Sequence, residues 1–264
     1  MKFKYMSAPI EDVSDNAFRT LCYRHGADLT FTELTRVEGL ARNNASTWSR
    51  LQFNDNTPTV IQLLGGKEEH FSKFLTMFKP HESFRGFNLN LGCPSPQVTS
   101  LGQGCALMKR INKVKKIVDI FKKENYPISI KMRLGLNNFE KEAKVYLNLI
   151  QNVDADFFVV HTRVGSESYD AVPDYSVLPK CVESGKEIIA NGSIDTLEKI
   201  KMLKDMGVSG AMIGRSAVKN PAIFDMLKGK KTPSIEELKK EYLELSDKYE
   251  PAFKYRKNVL KHLN

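Results

Sequence analysis

The amino-acid sequence predicts a parallel (β/α)8 barrel, or TIM barrel, followed by a short C-terminal helical segment. Short apolar, β-branched or aromatic runs occur eight times, and segments with the spacing of amphipathic helices separate them. Strands that alternate with helices in this way are typical of a barrel of parallel strands. The chain has 264 residues, and about 250 residues is usual for this fold. We expect the barrel to occupy residues 1–228 and the helical segment to occupy residues 232–264.

The predicted strands are short and bounded by polar or turn-forming residues. In chain order they are FKYMSAPI (3–10), DLTFTEL (28–34), PTVIQLL (58–64), GFNLNLG (86–92), PISIKMR (127–133), DFFVVHT (156–162), EIIANG (187–192) and SGAMIG (209–214). Helical spacing is found between them, for example at residues 67–78, 138–150 and 195–207. The last of these helices opens with the capping-box spacing of Asp195 and Glu198. Two further helices are expected after the barrel, at residues 234–250 and 252–264.

The charge of the chain favours a polyanionic partner. Forty Lys and Arg residues against 31 Asp and Glu give a formal net charge of +9. Such an excess raises the association rate and the non-specific affinity for nucleic acid. The lysines of KVKKIVDIFKK (113–123) follow a helical period, however, and we expect most of them to form a solvated helix face.

The sequence also predicts the setting in which the protein works. No apolar run is long enough to cross a membrane, and MKFKYMSAPIED at the start lacks the apolar region of a signal peptide. We therefore expect a cytoplasmic protein with no membrane partner, and a monomer. The cysteines lie far apart without CxxC spacing, so neither a zinc site nor a disulfide framework is indicated. They are Cys22, Cys93, Cys105 and Cys181.

Polar residues at the strand ends predict an active site, because TIM-barrel sites lie at the C-terminal ends of the strands. These residues are Ser7, Pro9, Glu33, Gln62, Asn90, Cys93, Lys131, Arg133, His161, Arg163, Asn191, Gly192, Gly214 and Arg215. Solvated loops would also be polar, but they would carry many Asp and Lys residues. Amide, imidazole, guanidinium and glycine groups instead meet at one mouth.

Two loops at this mouth fit a phosphate group. The loops after strands seven and eight of such barrels commonly bind phosphate, and here they begin with ANGSID and IGRSAVKNP. Gly192 and Gly214 allow the backbone to approach an anion closely, and Arg215 adds a fixed fork of donors. Lys131 can stabilise negative charge on a ligand ring, although a Schiff-base aldolase lysine would occupy a similar position. Gln62 offers both a donor and an acceptor to the edge of a heterocycle, and His161 can bind a phosphate or a ring carbonyl.

The ordered motifs of the chain resemble those of the tRNA-dihydrouridine synthases. They are APIEDVSDNAFRTLCYRHGADLTFTEL, IQLLG, NLNLGCPSPQV with GCALM, IKMRLG, VVHTR, ANGSI and GAMIGRSAVKNPAIF, between roughly residues 5 and 225. The resemblance implies FMN at the barrel mouth, NADPH as its reductant, and RNA, most often tRNA, as substrate. Hydride then passes from the flavin to C6 of a uracil, and Cys93 protonates C5. A thiol with an ordinary pKa of about 8.5 is mostly protonated near neutrality, which suits a general acid.

The same resemblance implies roles for individual residues, with no metal. The cofactor contacts would be Pro9, Ile10, Glu11 and Gln62 at the flavin ring, Lys131 at its pyrimidine edge, and His161, Asn191, Gly192, Ser193, Gly214 and Arg215 on the phosphate side. The substrate contacts would be Asn90, Arg133, Arg163 and Tyr169. The loop PSPQVTSLGQG (94–104) would close over the base, with Gly102 and Gly104 as hinges. Cys105 is expected to be a packing residue.

Some positions depart from the family pattern. Ser193 stands where the family usually has Asp, Ile10 where it often has Met, and Lys219 where it often has Gly. The helical segment after the barrel is shorter than the helical RNA-binding domain of the family, so either RNA binding is reduced or the sequence is shorter than the usual family member at this end. An FMN-dependent oxidoreductase of a free pyrimidine and a flavin-free RNA-binding barrel remain as alternatives.

Overall fold

Nine β-strands form one sheet in the computed structural model of this protein, which describes residues 2–263. Met1 and Asn264, the outer ends of the two predicted segments, lie outside the described residues. The strands are β1 Lys4–Ser7, β2 Thr30–Phe31, β3 Thr35–Arg36, β4 Thr59–Leu64, β5 Phe84–Leu91, β6 Ile128–Met132, β7 Phe158–His161, β8 Ile188–Asn191 and β9 Gly210–Ile213.

The strands form a nearly closed parallel barrel. Their order is β1-β9-β8-β7-β6-β5-β4-β2, β3 also pairs with β4, and all of these pairings are parallel. A single parallel bridge between Met6 and Leu29 joins β1 to the beginning of β2. Since β2 and β3 together take the place of one strand, the architecture is the eight-stranded TIM barrel that the sequence predicts.

Helices surround the barrel and follow it. They are α1 Asn16–Arg24, α2 Val37–Ala41, α3 Ala45–Trp48, α4 Glu68–Met77, α5 Pro96–Thr99, α6 Ile111–Lys123, α7 Asn138–Glu142, α8 Val145–Asn152, α9 Leu178–Val182, α10 Leu197–Asp205, α11 Arg215–Lys219, α12 Ile223–Met226, α13 Ile235–Tyr249 and α14 Phe253–His262. Short 3-10 helices cover Ser49–Leu51, Gly104–Leu107 and Tyr175–Val177. On α6 one face is buried, with Val114, Ile117, Val118 and Phe121. None of its five lysines is buried: two are exposed and three are partly exposed, in agreement with a basic face in contact with solvent.

Two predicted helices differ in detail from the structure. The helix expected at residues 138–150 is broken into α7 and α8 at Lys144, which has a left-handed φ of 55°. The predicted capping box of α10 was wrong by one residue, because Thr196 is the N-cap and its side chain accepts from the Lys199 backbone N–H. The Asp195 carboxylate instead pairs with the Lys199 ammonium at 2.6 Å.

Two layers of apolar side chains stabilise the barrel. The larger layer lies between the helices and the outer face of the sheet, and it contains residues of both. The smaller cluster comes from the strands and the first residue after β1, and it fills the barrel interior. Its members are Met6, Ala8, Phe31, Val60, Val159, Ile189 and Met212. Beneath the C-terminal ends of β1, β2, β4, β7, β8 and β9 the barrel interior is therefore an apolar floor.

The last two helices pack on the barrel near its first strands. At the start of α13, Ser234 and Glu237 form a capping box. Glu241 of α13 pairs with His25 at 2.7 Å beyond the end of α1. Within residues 2–263 no helix is long and apolar enough to span a membrane. The division into a barrel domain and a separate helical segment stays a prediction.

Candidate active site

A cavity of about 440 Å³ opens at the C-terminal ends of the strands. Its lining contains Ala8, Pro9, Ile10, Glu11, Leu34, Gln62, Asn90, Gly92, Cys93, Pro94, Lys131, Arg133, His161, Tyr169, Asn191, Gly192, Ser193, Gly214 and Arg215. Every residue predicted to contact the cofactor or the substrate, and the predicted acid Cys93, is among them except Arg163. Of the other polar residues predicted at the strand ends, Ser7 and Glu33 are buried and do not line the cavity. Ala8, Leu34, Gly92 and Pro94 also line the cavity but were not singled out from the sequence, although the last two flank Cys93.

The two-residue period of a strand explains why these side chains meet. Alternate residues of a barrel strand point inward, so the residue two positions after an interior apolar residue faces the cavity above it. Val60 and Val159 belong to the apolar floor, and Gln62 and His161 follow them by two positions. In the same way Asn191 follows Ile189, and Gly214 follows Met212. On β4, β7, β8 and β9 an apolar layer therefore lies directly beneath the residues that line the cavity.

Cys93 lies in the loop after β5, and the Asn90 side chain fixes its backbone. The Asn90 Oδ1 atom accepts from the backbone N–H groups of Gly92 and Cys93, each at 3.0 Å. The Asn90 amide nitrogen donates to Gln62 Oε1 at 2.9 Å. Cys93 itself is partly exposed. The Asn90 side chain therefore helps to hold the Cys93 thiol at the cavity wall. Both its amide oxygen and its amide nitrogen already make hydrogen bonds within the protein, although the sequence predicts that Asn90 contacts the substrate.

The amide network continues downward into the barrel. Gln62 donates to Asn88 Oδ1 at 2.8 Å, and Asn88 donates to the Ser129 hydroxyl at 2.9 Å. These residues lie on β4, β5 and β6 and are almost completely buried. Because the amides of Gln62, Asn88 and Asn90 each act as donor and acceptor, rotation of any one of them breaks at least two hydrogen bonds. The network therefore fixes the orientation of both Gln62 and Asn90.

Positive charge in the cavity has little compensation from carboxylates. The Arg133 guanidinium donates to the carbonyl oxygens of Val164 and Glu167, and Arg215 donates to the Tyr169 carbonyl and the Ser193 hydroxyl. Burial is the main reason that the pKa of Lys131 falls from 10.5 to about 8, and the Arg133 charge lowers it further. These cations suit an anionic ligand, since a buried charge without a partner is costly.

His161 is a neutral imidazole in this site. Burial, followed by the charges of Lys131 and Arg133, lowers its pKa to about 2. The ring can therefore donate one hydrogen bond and accept another, but it does not add positive charge at neutral pH. Its Nε2 atom lies 3.4 Å from an Arg163 nitrogen.

The structure does not bring Arg163 to the cavity. Its side chain is buried and donates to the Ala171 carbonyl at 2.7 Å and to the Ser193 hydroxyl at 2.9 Å. Burial and the nearby Arg215 lower its pKa. Arg163 is thus placed behind Ser193, where it supports the cavity wall, and its predicted contact with the substrate has no support in this geometry.

The loops after β8 and β9 present backbone at the cavity. Gly192 has a φ of 125°, and an added Cβ would lie 3.2 Å from Thr162 Oγ1. Ser193 adopts a left-handed φ of 49°, and its hydroxyl accepts from two guanidinium groups. At Gly214 an added Cβ would lie 3.5 Å from Ala8 and no closer to another residue. Close approach of a ligand is therefore possible at Gly214, beside Arg215.

Cys105 and Gly104 pack directly beneath Cys93. The backbone N–H of Cys105 donates to the Cys93 carbonyl at 3.0 Å, and its side chain is buried. Burial raises the pKa of the Cys105 thiol to about 12. Gly104 has a φ of 58°, and an added Cβ would lie 2.4 Å from the Cys93 carbonyl oxygen. Gly104 is thus a point of close approach, and its predicted role as a hinge stays a prediction.

The fold and the site define an enzyme of the TIM-barrel class, because a thiol, an imidazole and several cations meet at the end of the barrel where such enzymes react. The sequence model described as "Dihydrouridine synthase (Dus)" matches residues 6–263. The chain belongs to the dihydrouridine synthase family.

Relatives with curated names extend over most of the chain. A Bacillus subtilis protein named "Probable tRNA-dihydrouridine synthase 2" is 30% identical over 257 residues, which are 93% of this chain and 78% of that protein. A Helicobacter pylori protein named "Probable tRNA-dihydrouridine synthase" is 29% identical over 85% of this chain and 70% of its own length. The human "tRNA-dihydrouridine(47) synthase [NAD(P)(+)]-like" is 27% identical over 85% of this chain and 35% of its length.

Solved structures share the barrel at low sequence identity. Morphinone reductase has a TM-score of 0.59 at 12% identity, with 90% of this chain and 88% of that chain covered. N-(5'-phosphoribosyl)anthranilate isomerase from Pyrococcus furiosus has a TM-score of 0.50 at 12% identity, with coverage of 94% and 100%. Since a reductase and an isomerase share this fold, the likeness establishes the barrel and not the reaction.

Proposed function

We propose that the protein reduces the C5–C6 bond of specific uridines in tRNA to dihydrouridine, with FMN as cofactor, NADPH as reductant and Cys93 as proton donor. The observation that carries the proposal is the thiol of Cys93 at a cavity rich in cations that lack carboxylate partners. Such a cavity attracts a ligand with a phosphate group and an electron-poor ring. The names of the relatives, tRNA-dihydrouridine synthases, agree with it.

The residues present fit an FMN molecule. Its phosphate would be held by Asn191, Gly192, Ser193, Gly214 and Arg215, with His161 beside them, and its ring by Pro9, Ile10, Glu11, Gln62 and Lys131. Free space above Gly214 and the uncompensated Arg215 guanidinium support the phosphate end. The Lys131 ammonium, whose neighbours include no carboxylate, supports the end of the ring that carries negative charge.

The reaction adds a hydride to one carbon of the uracil and a proton to the neighbouring carbon, so it requires two different donors. When bound, the flavin supplies the hydride that adds to C6 of the uracil. Cys93 supplies the proton that adds to C5, and the resulting thiolate takes a proton from solvent before the next cycle. Asn90 accepts one hydrogen bond from the Gly92 backbone and one from the Cys93 backbone, so it orients the thiol without taking part in proton transfer. The two electrons come from NADPH, which leaves as NADP⁺.

Arg133 and Tyr169 are proposed to contact the target nucleotide. The guanidinium carbon of Arg133 lies 5.5 Å from the centre of the Tyr169 ring, and that of Arg215 lies 4.7 Å from it. The ring is held by cations on the cavity wall while 56% of Tyr169 stays exposed. A base that leaves its stack to enter the cavity can pack on such a ring.

An apolar rim around the mouth favours RNA over a free pyrimidine. The rim consists of Leu101, Phe139, Tyr169 and Val172, which follow β5, β6 and β7 and are 64%, 77%, 56% and 85% exposed. Ion pairs connect these loops, between Lys109 and Glu140 at 2.8 Å and between Lys141 and Asp174 at 2.7 Å. Exposed apolar groups next to cations suit the bases and phosphates that flank a target nucleotide.

The rim is tested by the Phe139→Ala variant. Base stacking on an aromatic ring contributes roughly 1–3 kcal/mol, so the KM for RNA should rise about 5- to 150-fold, while NADPH oxidation with a small artificial acceptor stays normal. The matched control is Tyr23→Ala, because Tyr23 is also exposed but lies near the end of α1, away from the mouth. An unchanged KM in Phe139→Ala would remove the rim from the RNA site.

The function itself is tested with purified protein, NADPH and tRNA that lacks dihydrouridine. Dihydrouridine should appear in the digested RNA, dependent on flavin and NADPH, and a free pyrimidine should not be consumed. Reduction of the free pyrimidine alone would establish the alternative enzyme. Absence of flavin from the protein, even after added FMN, would establish the RNA-binding barrel. A cytoplasmic location and a monomeric state stay predictions.

A further inference from the structure

One turn of the cavity wall is connected to the C-terminal helix α14. The turn, residues 9–12, joins β1 to α1, and its first three residues line the cavity. Its last residue, Asp12, has a left-handed φ of 57°, a conformation that costs a non-glycine residue free energy unless its surroundings hold it. The contacts that hold Asp12 come largely from α14.

Two residues of α14 contact Asp12 directly. The Lys254 ammonium donates to the Asp12 carboxylate, and the Asn258 amide donates to the Asp12 carbonyl oxygen at 3.2 Å. A third contact passes through Glu33. The Asp12 backbone N–H donates to Glu33 Oε2 at 2.8 Å, and the Tyr255 hydroxyl of α14 donates to the other oxygen of the same carboxylate. The N–H, the carbonyl and the side chain of Asp12 are therefore all held.

Glu33 connects Tyr255 to Asp12 and does not face the cavity. Its carboxylate is almost completely buried, and it is absent from the cavity lining although it follows the second strand. The Arg50 guanidinium lies 3.7 Å from Glu33 and 4.0 Å from Glu11, so it offsets the charge of both carboxylates. With Tyr255 on one oxygen and Asp12 on the other, the carboxylate bridges helix and turn.

We propose that α14 positions the wall of the flavin site formed by residues 9–11, and that Tyr255 acts as a positioning residue through Glu33 and Asp12. This inference rests on the proposed function, since that function makes the turn a flavin contact. Loss of the Tyr255 hydroxyl should let the backbone of Asp12 relax and so displace the residues before it. The effect should reach the cavity although Tyr255 does not line it.

The chain offers a matched control in Tyr249. Its hydroxyl donates to Asp55 Oδ2 at 2.7 Å, so it also attaches the C-terminal helices to a carboxylate of the barrel. The other hydrogen bonds of Asp55 come from Thr20 and Thr57, however, and none within residues 2–263 comes from the turn. Tyr249→Phe and Tyr255→Phe therefore each remove one hydroxyl from the same interface, and only the second removes a link to Asp12.

The first measurement is amide hydrogen exchange of the full chain without flavin. In Tyr255→Phe the amide of Asp12 should exchange about 3- to 10-fold faster, which is the factor that the net strength of one hydrogen bond represents. Asn258→Ala should act in the same direction, and Tyr249→Phe should leave this amide unchanged. Equal exchange of the Asp12 amide in Tyr255→Phe and the parent chain would overturn the proposal, as would an equal increase in Tyr249→Phe.

The second measurement is the Kd for FMN, by quenching of flavin fluorescence. Tyr255→Phe should weaken FMN binding by about 3- to 10-fold. The Kd of Tyr249→Phe for FMN should stay within about twofold of the parent value, even if the two variants lower the melting temperature equally. An unchanged Kd in Tyr255→Phe would overturn the positioning role. If the parent chain binds no FMN, the proposed function fails, and the exchange measurement still decides whether α14 holds the turn.

Discussion

At the scale of single residues, Cys93 differs from the other cysteines in its surroundings. Cys22, Cys105 and Cys181 are buried, and burial raises the pKa of each thiol to about 12. Cys93 is partly exposed and lines the cavity. A group that gives a proton to a substrate must reach it, and among the four cysteines only Cys93 meets that condition.

Replacing Cys93 by Ala should separate the two halves of the reaction. Reduction of the bound flavin by NADPH needs no thiol, so its rate should stay close to that of the parent. Formation of dihydrouridine should fall by about 10²- to 10⁴-fold, the usual contribution of general acid catalysis. Stopped-flow absorbance and analysis of digested RNA measure the two steps. Cys105→Ala is the control and should cost far less. Parent-level dihydrouridine formation in Cys93→Ala would mean that another group donates the proton.

The lowered pKa of Lys131 predicts how FMN binding depends on pH. The ammonium is charged at pH 7 and loses its proton as the pH rises through about 8, and only the charged form attracts an anionic ligand. The Kd for FMN should therefore be constant below about pH 7 and should increase above about pH 8, by at most about tenfold per pH unit. Titrations between pH 6.5 and 9 (roughly the span that brackets this pKa) measure the trend.

The control for this prediction is Lys131→Met, which keeps an apolar stem but carries no charge. Its Kd for FMN should be weaker at neutral pH and should show no change through pH 8 (about the pKa of Lys131 in the parent). A parent chain with the same Kd on both sides of this pKa would show that Lys131 does not contact the negative part of the cofactor.

At the scale of elements, the loop after β5 depends on two glycines that differ in their surroundings. Both have a positive φ, 67° at Gly102 and 58° at Gly104, so an alanine strains the backbone in each case. A Cβ on Gly102 would meet nothing nearer than Arg110 at 3.6 Å, whereas one on Gly104 would lie 2.4 Å from the Cys93 carbonyl oxygen. Only the second substitution must displace Cys93.

Gly104→Ala should therefore reduce dihydrouridine formation by at least about tenfold, since a displacement near 1 Å at a reacting group can cost about a hundredfold. Gly102→Ala should have a much smaller effect on the rate, and both variants should keep normal flavin reduction by NADPH. Equal losses in the two variants would indicate that loop flexibility, and not the position of Cys93, limits the reaction.

At the scale of the whole molecule, the net charge of +9 and the cations at the mouth predict salt-dependent RNA binding. Each phosphate that the protein neutralises releases counterions, so the affinity for tRNA should fall steeply as salt rises from about 50 to 200 mM. NADPH oxidation with a small artificial acceptor should change much less over the same range. A flat salt response of tRNA binding would favour the free-pyrimidine enzyme.

The sequence by itself determined the barrel and most of the candidate site. Each strand is visible as a local run of residues. The two-residue period of a strand shows that His161 faces the same side as the interior residue Val159, whatever the neighbouring strands are. The motif around Cys93 could be read in the same local way. The splitting of the second strand into β2 and β3, and the break of a predicted helix at Lys144, were not visible, because chain geometry in each case depends on what packs against it.

Only the tertiary structure decided which polar side chains reach the cavity and which support it. Glu33 lies near the end of one predicted strand and Arg163 directly follows another. In the structure the Glu33 carboxylate accepts from Tyr255 of α14, and Arg163 lies behind Ser193. Asn90 lines the cavity while its amide holds the Cys93 backbone. A polar side chain is directed by the partners that satisfy its hydrogen bonds on burial. Those partners are distant in sequence, as Tyr255 is from Glu33, so local pattern does not identify them.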